Sequence, residues 1–221
     1  MIEPLRIKAP GHQERPPEPE RCERFLISLL RRTAVPTLAL CAAIALAACG
    51  SDDASGNPDS ELTPAQATAP LEDAPPQLAA IRAEANQILD GGLEAYDERI
   101  AALRGSPVVV NKWASWCGPC RLEFPWFQSQ GEGRASEVAF IGLLSDDSEA
   151  AGETFLSELP LPYPSYYDPD QEIAAEIGAP RNFPATAFYD ASGELVFTHQ
   201  GVYTDEAALA ADIARYARQG G

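Results

Sequence analysis

The chain has 221 residues, with 16 Lys and Arg against 33 Asp and Glu, for a formal net charge of −17 at pH 7. That length fits one domain of ordinary size plus extensions. The acidity excludes a nucleic-acid binder, which draws its affinity from Lys and Arg neutralising phosphates. The imbalance is sharper after Cys49, because residues 49–221 hold only nine basic side chains against 28 acidic ones.

At the front, Arg31 and Arg32 precede an apolar, uncharged, Ala-rich run over residues 33–48. It is shorter than the roughly 20 residues needed to span a bilayer. A basic flank, a short apolar core and small residues at its end describe a secretory signal, so residues 1–48 are expected to be an export signal with a long front. The run closes on Leu46-Ala47-Ala48-Cys49-Gly50, which resembles a bacterial lipoprotein signal. That resemblance implies cleavage before Cys49 and a diacylglycerol on its thiol; an uncleaved signal anchor is the alternative. Either outcome places the remainder outside the cytoplasm, held at a membrane of a bacterial cell envelope. Residues 49–76, rich in Ser, Asp, Ala, Thr and Pro and without an apolar period, are expected to form a disordered tether. The folded domain is expected over residues 77–221.

Within that domain, Leu78, Ile81, Ala85, Ile88 and Leu89 recur at helical spacing and predict a helix stopped by Gly91 and Gly92. A second helix is predicted over 93–103. Residues 107–114 read as a buried, β-branched strand, and a helix follows at once, with Pro119 in its first turn and Pro125 as a candidate kink. A second apolar strand over 138–144 ends at Ser145-Asp146-Asp147-Ser148, a helix-start signal. Beyond it come a helix to 159, a short strand near 165–167 and a short helix over 172–177. Strands over 185–189 and 194–199 are joined by a hairpin signal at Asp190-Ala191-Ser192-Gly193. An amphipathic helix over 205–218 closes the chain. A strand–helix–strand half followed by an antiparallel half is an α/β layered domain.

Of the five cysteines, at 22, 41, 49, 117 and 120, only Cys117 and Cys120 fall in the domain. A Cys-x-x-Cys pair beside such a pattern reads as a redox motif. Cys117 sits where a strand ends and a helix begins. There the unpaired backbone N–H groups and the helix dipole favour an anion, which lowers the thiol pKa toward neutrality and makes Cys117 the nucleophile. Cys120, one turn inward, is placed to attack a mixed disulfide formed on Cys117. A structural zinc half-site is a poorer reading, because zinc takes four ligands and His199, itself read as structural, is the only other soft ligand in the domain. A purely structural disulfide closing so short a loop contributes only roughly 2 kcal/mol. No metal or cofactor is expected beyond the redox-active disulfide itself.

Residues 111–125, Asn-Lys-Trp-Ala-Ser-Trp-Cys-Gly-Pro-Cys-Arg-Leu-Glu-Phe-Pro, resemble the active-site segment of the TlpA/ResA-like branch of the thioredoxin superfamily. A weaker likeness extends over about residues 93–219, with a second anchor at Asn182-Phe183-Pro184-Ala185-Thr186. The resemblance implies a thioredoxin-like fold, a central mixed sheet flanked by helices, here with an N-terminal helical extension. It implies a cis peptide before Pro184 facing the cysteines, with the backbone at Phe183 pairing with the substrate chain and the Pro184 ring keeping metal from the thiols. Trp116, Gly118 and Pro119 complete the motif, Trp116 as part of the contact surface around Cys117. Asn111 stands where cytoplasmic thioredoxins carry a buried aspartate, and an amide cannot take the proton from Cys120. Glu123 matches a glutamate of the ResA-like branch and would tune thiol acidity or guide partner choice, unless it is a surface carboxylate. Lys112 departs from the apolar residue usual before Trp113. It faces away from Asn111 on the strand and must snorkel or find a partner.

Taken together these features predict an enzyme, a membrane-anchored thiol–disulfide oxidoreductase reducing disulfides of exported proteins, with apocytochrome c a candidate substrate. Its electrons would come from a membrane thiol donor, since glutathione and NADPH-driven reductase lie across the membrane. Three alternatives stay open. A disulfide-forming oxidase uses the same residues. A redoxin-type thiol peroxidase needs hydroxyl and Arg groups around its cysteine. A metal-delivery module of this superfamily uses cysteines with three intervening residues plus a His, and the two intervening residues here argue against it.

Overall fold

The computed structural model describes residues 62–217. The expected signal over 1–48, Cys49 and the first part of the expected tether lie outside the described residues. No helix among those described is long and apolar enough to cross a membrane.

Six strands form one sheet: β1 (Ile88–Leu89), β2 (Val108–Trp113), β3 (Ala139–Ser145), β4 (Ser165–Asp168), β5 (Ala185–Tyr189) and β6 (Leu195–Gln200), in the order β1-β4-β3-β2-β5-β6. The first four run parallel, while β5 is antiparallel to both β2 and β6. This is the thioredoxin-like arrangement, a mixed sheet flanked by helices. Every residue of β2 and β3 is buried, as the central parallel strands of a sheet covered on both faces should be.

The helices described are α1 (Pro64–Ala67), α2 (Pro76–Ala83), α3 (Gly92–Ala102), α4 (Gly118–Gly133), α5 (Glu149–Glu158), α6 (Glu172–Glu176) and α7 (Glu206–Tyr216). Alternation along β2 sorts the core into two halves. Trp113 faces α4 and α5, stacking on Phe155 at 5.2 Å and meeting Phe124 edge-on at 5.3 Å. On the other face, Tyr96 of α3 meets Tyr166 edge-on at 5.8 Å and shares a hydroxyl hydrogen bond with Tyr189. The helix starts follow local chemistry: the Ser148 side chain caps α5 by accepting from the Ala151 N–H, and Asp205 caps α7 by accepting from the Ala208 N–H. Helix α4 continues through Pro125 to Gly133.

Two expectations need correction. The helix expected over 78–89 ends at Ala83, and Ile88 and Leu89 instead pair with Ser165 and Tyr166 as strand β1. The cause is Asn86, which adopts a left-handed conformation (φ 61°), donates its N–H to the Tyr163 carbonyl and accepts the Leu161 N–H on Oδ1. Asn tolerates that conformation, and the chain turns into the sheet edge.

The second correction concerns the tether, expected to run disordered to Pro76. Residues 62–76 include α1, started by a capping box between Thr63 and Gln66, and Ala67 is fully buried. Arg82, itself buried, holds this segment down. Its guanidinium donates to the Ala67 carbonyl at 2.8 Å and to Glu132 Oε2 at 2.6 Å. An Arg inside a helical pattern reads as surface; here it is a clasp between the N-terminal segment and α4.

Candidate active site

Strand β2 delivers the chain to Cys117 at the sheet's C-terminal edge. Cys117 is the N-cap of the 16-residue helix α4, and its Sγ accepts the Cys120 backbone N–H at 3.1 Å. Cys117 and Cys120 are joined by a disulfide with Cα atoms 5.3 Å apart. Gly118 and Pro119 are exposed in the first turn, whereas Cys120 is buried and Cys117 only 3 % exposed. A thiolate on Cys117 would therefore lie at the positive end of a long helix, beside an N–H already aimed at it.

The rest of the site is carried by loops after β2, after β3 and before β5. The Ser115 N–H donates to Asp147 Oδ2 at 2.6 Å, and Trp116 Nε1 donates to the Asp146 carbonyl at 2.9 Å. Trp116 is the most exposed aromatic at the site, at 56 %. Its ring lies 4.8 Å from that of half-buried Phe183, and the Phe183–Pro184 peptide is cis. The Pro184 carbonyl accepts the Gly201 N–H. Cys117, Trp116, Phe183 and Pro184 thus belong to one end of the sheet, because Ala185 pairs with Lys112 in the β2–β5 ladder.

Behind the cysteines, the two faces of β2 carry opposite chemistry. Asn111 points toward α4, and its Nδ2 donates to Glu123 Oε1 at 3.3 Å. Glu123, one turn along α4 from Cys120, is completely buried and accepts the Tyr203 N–H on Oε2 at 3.2 Å. Burial pushes its pKa up to about 8, against the pull of those two hydrogen bonds. The structure thus places an acid on α4 and its amide partner at 111. Tyr203 continues the network: its hydroxyl donates to Asp212 Oδ2 at 3.1 Å, and its ring stacks on His199 at 4.0 Å. Asn111, Thr186 and His199 are register partners across β2, β5 and β6, so a polar row runs beneath α4 and α7. The contribution of Tyr203, made by a backbone N–H 80 residues from Glu123, leaves no signal in the sequence.

Lys112 points to the other face and does not snorkel. It is completely buried, donates from Nζ to the Ala179 carbonyl at 2.7 Å and to Gln171 Oε1 at 3.3 Å, and sits 3.8 Å from the centroid of the Phe183 ring. Burial lowers its pKa to about 8, with Asp168 and Asp146 opposing the drop. Arg121, the cation nearest the pair in sequence, is turned away to Glu158 at 3.0 Å and to the Phe155 ring. Among the described residues, no group of three or more His, Cys, Asp or Glu side chains is arranged to hold a metal.

The redoxin family's sequence model matches residues 86–213. The chain belongs to the redoxin family. This redoxin is 30% identical over 109 residues to the thiol-disulfide oxidoreductase ResA of Oceanobacillus iheyensis, covering 48% of this chain and 55% of that protein. It is 35% identical over 103 residues to the thiol:disulfide interchange protein DsbE of Pseudomonas fluorescens biotype C, covering 46% and 56%. The chain spans about half the length of these curated relatives. Among solved structures, the redoxin is similar to Mycobacterium tuberculosis DsbF (26% identity, TM-score 0.48, 52% of this chain and 83% of that one). It is also similar to an exposed lipoprotein thioredoxin of Streptococcus pneumoniae (24%, 0.45, 52% and 89%).

Proposed function

We propose that this redoxin is a thiol–disulfide oxidoreductase anchored outside the cytoplasm through Cys49, and that it reduces disulfides in exported proteins, apocytochrome c among them. The observation that carries the proposal is the Cys117–Cys120 pair at the start of α4, flanked by the Phe183–Pro184 loop and backed by a buried acid. In the reduced protein, the Cys117 thiolate attacks one sulfur of a substrate disulfide. The substrate's other sulfur leaves as a thiolate and takes up a proton. Cys120 then gives up its proton and attacks Cys117 Sγ, which releases the second substrate thiol and leaves the internal disulfide. Two electrons pass from the dithiol to the substrate, and a membrane thiol donor restores them.

Glu123 is suited to receive the Cys120 proton. It is a carboxyl poised near neutral pH, on the α4 face shared by residues three apart, and it supplies what the Asn111 amide cannot. A peroxidase is less well supported, because Arg121 is engaged away from the cysteines. The names thiol-disulfide oxidoreductase ResA and thiol:disulfide interchange protein DsbE, carried by relatives matched over part of their length, support the same chemistry.

The test is the reduction potential of the Cys117–Cys120 pair in defined thiol–disulfide buffers. A value near the about −270 mV of thioredoxin, or lower, is expected of a reductant. A value near about −120 mV would make the protein a disulfide-forming oxidase. Failure to cycle at all would leave only a structural disulfide.

A further inference from the structure

Lys112 is a costly residue to bury. Its ammonium has no solvent exposure, and no carboxylate among the described residues lies in ion-pair contact with it. A charge in that position opposes folding, and a methionine would fill the space without the desolvation penalty. Two of its contacts are hydrogen bonds, to Ala179 and Gln171. The third is the face of the Phe183 ring, and that ring in turn meets Trp116, whose indole N–H is pinned to the Asp146 carbonyl. A buried cation thus ties β2 to the segment before Pro184 and bears on the aromatic pair beside Cys117.

We propose that Lys112 is a positioning residue for polypeptide substrates: its ammonium fixes the Phe183 ring against Trp116, and the fixed pair is the surface on which a protein disulfide is docked before Cys117 attacks. This rests on the oxidoreductase reading above. An ammonium over an aromatic face is attracted by the ring quadrupole, and more strongly when both are desolvated. An aromatic wall already immobilised loses less freedom when a chain is laid against it. A small disulfide needs only to reach the Cys117 sulfur and gains little from such a wall. A polypeptide must lie along it.

The experiment compares the full-length wild type and Lys112→Met with two oxidised probes, insulin and glutathione disulfide. The quantity read is the ratio of their kcat/KM values. Any change in Cys117 thiolate fraction multiplies both rates alike and cancels, so the ratio reports docking. In Lys112→Met the insulin-to-glutathione ratio is expected to fall about tenfold, through a higher KM for insulin. In a Phe183→Leu background the same substitution is expected to leave the ratio unchanged, because the ring through which Lys112 acts is gone. Where Lys112→Met does not fold, Lys112→Gln, which keeps a donor for the Ala179 carbonyl and removes the charge, should show the same split. An unchanged ratio in the folded variant would overturn the proposal, as would an equal fall in the Phe183→Leu background. If the wild type reduces neither probe, the oxidoreductase reading fails first and takes this inference with it.

Discussion

Replacing Glu123 by Gln tests the buried acid through stability alone, without any assumption about substrate. Glu123 has no exposure, and its folded pKa of about 8 lies well above its ordinary value of 4.5. The folded state therefore holds this proton more tightly than the unfolded chain does. Stability from this group is fully present below pH ~4.5 and is lost as pH rises toward ~8, at about 1.4 kcal/mol per unit, for a total on the order of 5 kcal/mol. Glu123→Gln abolishes that loss. The substitution is accommodated locally, because Asn111 Oδ1 has no hydrogen-bond partner and a flipped Asn111 amide can accept from the new side-chain N–H. Urea unfolding of wild type and variant, disulfide intact, at intervals from pH 4.5 to 9 isolates the effect, since all other carboxylates cancel in the difference. The variant should gain on the wild type steadily through that window and be the more stable protein at pH 9. A stability difference that stays constant from pH 5 to 8.5 would refute the placement of a neutral carboxyl at this site.

Cys120→Ser should accumulate a mixed disulfide on Cys117 with an oxidised protein substrate, visible as an added mass lost on reduction, whereas Cys117→Ser should form none. The pH profile of internal-disulfide formation should rise through about pH 8 as Glu123 ionises and lose that limb in Glu123→Gln, as stopped-flow tryptophan fluorescence would record. Arg82→Met removes the hydrogen bonds to Ala67 and Glu132; it should cost about 2–3 kcal/mol and open residues 62–75 to limited proteolysis. Gly142→Ala places a methyl group against the Ser165 hydroxyl and the Trp113 indole and should destabilise by about 1–3 kcal/mol in chemical denaturation.

How far the sequence reveals this molecule depends on whether a signal is local. Strands β2 and β3 are legible because burial on both faces demands unbroken apolar runs, and α4 because a Pro in its first turn follows only a few residues after a strand. Strand β1 is not, because two residues cannot show a period of two, and Ile88 and Leu89 fall in step with the helix before them. The ordered segment before α2 is hidden for a related reason. Its anchor is a charge, and nothing in the composition of residues 62–76 marks which carbonyl a distant Arg82 will seek. The cysteines are legible at once. Glu123 is legible as a residue of interest, but its depth is set by Tyr203, which a separate loop brings down over it. Lys112 announces itself only as an anomaly, and the identity of its aromatic partner follows from the β2–β5 register.

That antiparallel register has a practical corollary. Because Ala185 pairs with Lys112 and Tyr189 with Val108, β5 leaves the cysteines behind and delivers its turn with β6 to the opposite end of the sheet. The turn is tied together by Asp190, which accepts from the Ser192 and Glu194 N–H groups, and it stands roughly 20 Å from Cys117 at the usual rise per strand residue. A fluorophore, affinity handle or fused reporter placed at Ala191 or Ser192 would ride on the rigid frame of the sheet, at a known remove from the sulfur chemistry. It would give a fixed vantage from which to watch partners arrive and leave.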